Sequence, residues 1–145
     1  MKNEVHVVRN VMGKVVSFET AKAIKESGLP EFETSSAYYY DKNGNLKPFA
    51  LSPMDARAAA PDIFCAPTIE SVCDMLRDAH MIHVSTKPYV TVEGFFYLYE
   101  VYGMYNESGM YKLLASKTGF GSSCDAEDAG IAFAYGYLIG SHVVV

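Results

Sequence analysis

The chain of 145 residues has no tryptophan and three cysteines. It also lacks any apolar run near the ~18 residues that span a bilayer. Cys65, Cys73 and Cys124 are odd in number and form no CxxC pair. That suits a reducing cytoplasm, with small buried thiols rather than a disulfide framework. The opening stretch MKNEVHVVRNVMGKVV has charges scattered through it, so it reads as neither a signal peptide nor an anchor. GxSxG, HExxH, Walker-type loops and carboxylates paired at an inward helical spacing are all missing, which removes the corresponding enzyme classes. No catalytic residue, metal ligand or cofactor is assigned, and these absences weigh against an enzyme. Basic residues are sparse in the body: residues 51–145 hold five Lys/Arg against eleven Asp/Glu, whereas residues 1–50 hold seven against six. An acidic body opposes polyanions, so a nucleic-acid partner is disfavoured. The expectation is a soluble, cytoplasmic protein with no membrane association.

What is present reads as helices and strands in a definite order. Residues 5–16, with Gly13 as a turn, suit a strand or small hairpin. In SFETAKAIKESGLP, Ser17 is placed to cap a helix, Gly28 to stop it and Pro30 to bar its continuation. Asn43-Gly44 predicts a two-residue hairpin turn between Tyr38–Tyr40 and Leu46–Phe49. Asp41, Asn43 and Asn45 share the spacing of calcium-loop ligands, but Leu46 and Ser52 stand where that loop needs Gly and Glu. SPMDARAAAP predicts a short helix, and PDIFCAP (residues 61–67) an irregular hinge. TIESVCDMLRDAH is an amphipathic helix capped by Thr68. Strands follow at about 83–92, 93–105 and 111–120, with Pro88 marking the first as an edge and NESG joining the last two. A last helix, DAEDAGIAFAYGYLIG, is capped by Ser122 or Ser123.

The run EGFFYLYEVYGMY (residues 93–105) raises the functional question, since six of its thirteen residues are aromatic. Side chains alternate along a strand. Phe95, Tyr97, Tyr99, Val101 and Tyr105 therefore share one face, and Phe96, Leu98, Glu100, Tyr102 and Met104 the other. Both faces are apolar and both call for cover. Core on one side and a tyrosine-rich contact surface on the other is the favoured reading, with a small-ligand wall as the alternative. Double-stranded-RNA-binding domains share the α-β-β-β-α order, but Asp125, Glu127 and Asp128 stand where those domains place phosphate-gripping bases. Gly94, Phe95, Tyr97 and Leu98 half-match a single-strand RNA signature that Glu93 and Glu100 then break. GFGSSC (residues 119–124) is better explained as a turn and cap than as a phosphate cradle. Cys73 and His80, two turns apart on one helix face, read as core residues.

The segments VSFETAKAIKESGLPEF, APTIESVCDMLRDAHMIHV, EGFFYLYEVY and DAEDAGIAFAYGYLI form a recurrent pattern. It resembles a family of small uncharacterised proteins carried by gut bacteria, their phages and integrated mobile elements, over residues 16–139. Met75 replaces the family's usual Trp, and Glu127-Asp128-Ala129-Gly130 replaces its E-E-A-L. The shared positions, Ser17, Pro67 and Thr68 among them, are caps and turns, so the resemblance implies a fold and no activity.

The sequence thus predicts an α+β protein. Residues 1–60 form a helix-and-hairpin lobe, and residues 61–145 a three-stranded antiparallel α-β-β-β-α core, together one compact domain. Its expected role is a non-catalytic, self-associating or partner-binding module through Tyr97, Tyr99, Tyr105, Tyr38 and Tyr40. The alternative is a small-ligand binder or enzyme with a pocket between the lobe and the sheet, near Tyr38–Tyr40 and Tyr97–Tyr99.

Overall fold

The computed structural model describes residues 14–28, 37–48, 62–104 and 110–143. Among these the fold is α+β, with three helices and two three-stranded antiparallel sheets. The chain divides into two compact units, Met1–Ser71 and Val72–Val145. The 52–61 helix, the NESG turn and most of the first apolar stretch lie outside the described residues.

In the first unit, Ser17 Oγ accepts the Thr20 amide at 3.2 Å and opens α1 (Phe18–Glu26). Gly28, at φ 75°, ends that helix's last turn, as its position predicts. Strands β1 (Tyr38–Tyr40), β2 (Leu46–Pro48) and β3 (Phe64–Cys65) form a sheet in the order β2-β1-β3. The hairpin is where Asn43-Gly44 places it, but its loop is longer than two residues. Tyr40 pairs with Leu46, and one further bond, Asp41 N to Asn45 O at 3.0 Å, closes a loop over residues 42–44. Gly44 takes the left-handed position at φ 84° that such a loop requires. Asp41 organises the loop, its Oδ1 accepting the Asn43 and Asn45 amides at 2.9 and 3.0 Å. Phe64–Cys65 lies in the stretch that the sequence marks as an irregular hinge, yet it pairs with β1, as a strand too short to show periodicity. Phe18 stands between Tyr40 and Phe64, with ring centroids 5.6 and 5.5 Å away. Val15 bridges Thr68, and Val16 N donates to Pro67 O at 3.0 Å.

Helix α2 (Ile69–His80) starts at Thr68, whose Oγ1 accepts the Ser71 amide. It ends at Met81, which adopts the left-handed conformation (φ 56°) usually left to glycine. The second unit then forms a meander of β4 (Ile82–Thr91), β5 (Gly94–Met104) and β6 (Tyr111–Phe120), followed by α3 (Ser123–Val143). β4 is an edge strand, which is where Pro88 is tolerated. Val84 pairs with Val101 and Ile82 with Gly103, and α3 lies across this side of the sheet. Ala126, Gly130, Ile131, Ala134, Tyr135 and Leu138 of α3 are buried. The closest approach is at Gly130, where a Cβ would come 2.7 Å from Val84 Cγ1 and 3.3 Å from Tyr99 Cγ. β6 carries an extra residue, Leu114, between the partners of Val101 and Tyr102, and its side chain fills the space over Gly103.

The same substitution at two glycines of α3 is predicted to act with opposite signs. Gly130→Ala forces the helix off the sheet, at a cost of about 1–3 kcal/mol that outweighs the helix-propensity gain. A Cβ at Gly136 meets nothing within 4 Å, so Gly136→Ala stabilises by up to about 1 kcal/mol. Denaturant titration of both variants tests this, and a stabilising Gly130→Ala contradicts the packing described. In the first unit, the Asn45 amide, helped by the Asn43 amide and Lys47, lowers the Asp41 pKa from 3.8 to about 2. A depressed carboxylate stabilises above its unfolded pKa, and the benefit is lost as pH falls through its folded value. The stability advantage of the natural chain over Asp41→Asn is therefore present at pH 6, largely lost by about pH 2 and gone by about pH 1. Equal stabilities at pH 6 would contradict it.

Candidate functional site

β5 is apolar on both sides, so the position of α3 settles what each aromatic ring does. Tyr99 is 6 % exposed and Val101 0 %, and both face the helix. Tyr99 also packs against Phe120, with centroids 5.8 Å apart. The face expected to be a contact surface is in this stretch the core. Tyr97, further along the same face, is half-buried and meets Phe95 edge-on at 5.5 Å. Tyr40 is 3 % exposed, and its hydroxyl donates to Val16 O at 2.7 Å within the first unit's core. Tyr38 is half-buried in β1, and Tyr105 lies outside the described residues. Of the five tyrosines assigned to contact, Tyr40 and Tyr99 are structural, because each ring closes a core and the Tyr40 hydroxyl meets a buried carbonyl.

The opposite face of the sheet is the candidate site. Strand pairing lays it out in rows: His83–Tyr102–Leu113, Ser85–Glu100–Ser116, Lys87–Leu98 and Tyr89–Phe96. Phe96, Leu98, Glu100 and Tyr102 are half-buried along its centre, while Leu113 (47 % exposed) and Tyr111 (50 %) extend it along β6. Tyr89 leans over Phe96 at 6.0 Å, and its hydroxyl accepts the Gly119 amide at 2.8 Å, linking the two edge strands across β5. Gly119 has φ 97° in the irregular part of β6. Ser122 caps α3 by accepting the Asp125 amide, so GFGSSC is built as turn and cap.

One ion pair sits in the middle of this face. Lys87 Nζ lies 2.8 Å from Glu100 Oε1, with the lysine side chain 60 % exposed and the carboxylate 17 %. Oε1 is shielded from solvent, so the nearby ammonium is what compensates its charge. Each partner shifts the other in the direction an ion pair requires. The Lys87 ammonium, and then the Tyr102 hydroxyl, hold the Glu100 carboxyl below its ordinary pKa, and Glu100 raises that of Lys87. Sequence alternation isolates Glu100 as the one charge on that face of β5, and this is the signal available in the sequence that the face is not core.

Cys73 Sγ donates to Glu127 Oε2 at 3.5 Å, and burial, then that carboxylate, push its thiol far above the ordinary thiol range. Such a thiol is inert. No three His, Cys, Asp or Glu side chains among the described residues come together to hold a metal. Asp41 spends its oxygens on its own loop and on Lys47, 3.2 Å away. No described helix is long and apolar enough to cross a membrane. The chain matches no protein-family model, no curated protein and no solved structure.

Tyr40→Phe removes the buried donor to Val16 and is predicted to cost about 1–3 kcal/mol. Tyr97→Phe stays within about 0.5 kcal/mol of the natural chain. Urea midpoints check both, and a Tyr40→Phe variant as stable as the natural chain would show that the buried hydroxyl does not hold the first unit together.

Proposed function

We propose that this chain is a non-catalytic protein-interaction module, acting in the cytoplasm and serving a mobile element or prophage. The observation that carries the reading is the face of β4–β6 turned away from α3. It is an ordered, partly desolvated surface of Phe96, Leu98, Glu100 and Tyr102, with Tyr111 and Leu113 exposed beside it, on a sheet whose other side is already closed by α3. Exposed apolar groups held on a hydrogen-bonded sheet and framed by polar residues are a favourable contact surface. The origin rests on the resemblance of residues 16–139 to proteins of gut bacteria, phages and integrated elements. A ligand pocket walled by Tyr38–Tyr40 and Tyr97–Tyr99 draws no support from Tyr40 and Tyr99, whose rings are committed to cores. Nucleic acid is disfavoured by Asp125, Glu127 and Asp128 at the start of α3.

Replacing Tyr111 and Leu113 together by Ser tests the reading at positions too exposed to hold the fold. The tagged natural chain is expected to retain a protein, either another copy or a host protein, that the double variant releases, with circular dichroism unchanged. Equal retention by both, or none by either, would contradict the reading.

A further inference from the structure

Resting on that reading, we propose that the occupant of the open sheet face is a second copy of this chain, packed sheet to sheet about a two-fold axis that passes beside Lys87 and Glu100. In a two-fold contact, residue i of one copy meets residue j of the other, and j meets i. The paired positions of this face carry two charged groups, one of each sign, 2.8 Å apart. That arrangement is complementary to itself. Each ammonium lies between its own carboxylate and its neighbour's, and neither charge is left unpaired when the face is covered. Lys87 is exposed enough to be shared in this way. A partner presenting a single sign would set a like charge against one member of this pair, which penalises it.

The charge of the whole chain points the same way. Its formal net charge is −5, which two copies of the chain share and which opposes their approach. The open face is locally neutral, so two acidic bodies meet there without adding to that cost. Three strands about 4.8 Å apart and ten residues long at ~3.3 Å each give a face of roughly 450 Å² in plan. That is below the ~800 Å² per partner of a standard interface, so the dimer is a dissociable one in the micromolar range. The sheets would stack about 10 Å apart with strands aligned to within about 30°.

Sedimentation equilibrium of the full chain tests this with Lys87→Glu, Glu100→Lys, their equimolar mixture and the double variant K87E/E100K, each checked for fold by circular dichroism. The natural chain is expected to dimerise in the micromolar range. Each single reversal, which puts like charges face to face, is expected to weaken the dimer by about tenfold or more. The mixture is expected to form a one-to-one dimer because an acidic face then meets a basic one, and the double variant to associate like the natural chain. Should Glu100→Lys fail to fold, Glu100→Gln replaces it, with a weakened dimer expected. Single variants that dimerise as well as the natural chain overturn the proposal. A natural chain that stays monomeric at several hundred micromolar also overturns it. In that second case, a host protein still retained by the natural chain and lost from the Tyr111→Ser/Leu113→Ser bait upholds the interaction module, so the two failures are told apart.

Discussion

The close approach of α3 to the sheet at Gly130 governs how the second unit is built. β5 is apolar on both faces, and hydrophobic burial alone would accept a helix on either. Val84 and Tyr99 stand where a helix can reach them only if it lacks a side chain at the crossing, and Gly130 supplies that gap. Once α3 is seated, Ile82, Val84, Tyr99 and Val101 become core, and Phe96, Leu98, Glu100 and Tyr102 are left on the other side by strand alternation. Gly103 makes a second concession of the same kind, accepting the side chain of the extra β6 residue Leu114.

The open face is shaped by the same strand geometry. Tyr89 reaches across Phe96 to the Gly119 amide and ties the edge strands together, which keeps the surface ordered. Lys87 and Glu100 then place one balanced charge pair in a surface otherwise made of apolar and hydroxyl-bearing side chains and His83. A fully hydrophobic face would promote indiscriminate association, and a charged one would resist burial. A single balanced pair lies between these and favours a partner that carries the same pair inverted, which a second copy does.

Much of this fold is legible in the sequence because its signals are local. Ser17 and Thr68 cap their helices as their spacing predicts, Ser122 is the cap of the two serines that the spacing leaves open, and β6 spans 111–120 as its pattern does. β4 runs one residue earlier than its pattern suggests, from Ile82, because Met81 stops α2 in the left-handed conformation without the glycine that would mark it. Phe64–Cys65 leaves no signal because a two-residue strand has no period and is recruited by β1. The hairpin loop is closed by the Asp41 carboxylate, whereas Asn43-Gly44 alone would signal a tighter turn. Tyr99 is assigned to a contact surface by sequence alone for a different reason. Alternation divides β5 into two faces, but the one that α3 covers depends on Gly130, far away in sequence. Glu100 is the local hint, outweighed by the number of rings on the other side.

In the proposed dimer a second copy covers Phe96, Leu98 and Tyr102, while Tyr99 and Val101 are closed by α3 in either state. Side-chain NMR with a soluble paramagnetic agent measures both halves of that division. At high dilution the agent should broaden the signals of Leu98 and Tyr102 and spare those of Tyr99 and Val101. On raising the protein concentration, Leu98, Tyr102 and Leu113 should become protected while exposed Val90 and Phe95 do not. Broadening of Tyr99 ahead of Tyr102, or no protection of Leu98 with concentration, would contradict it.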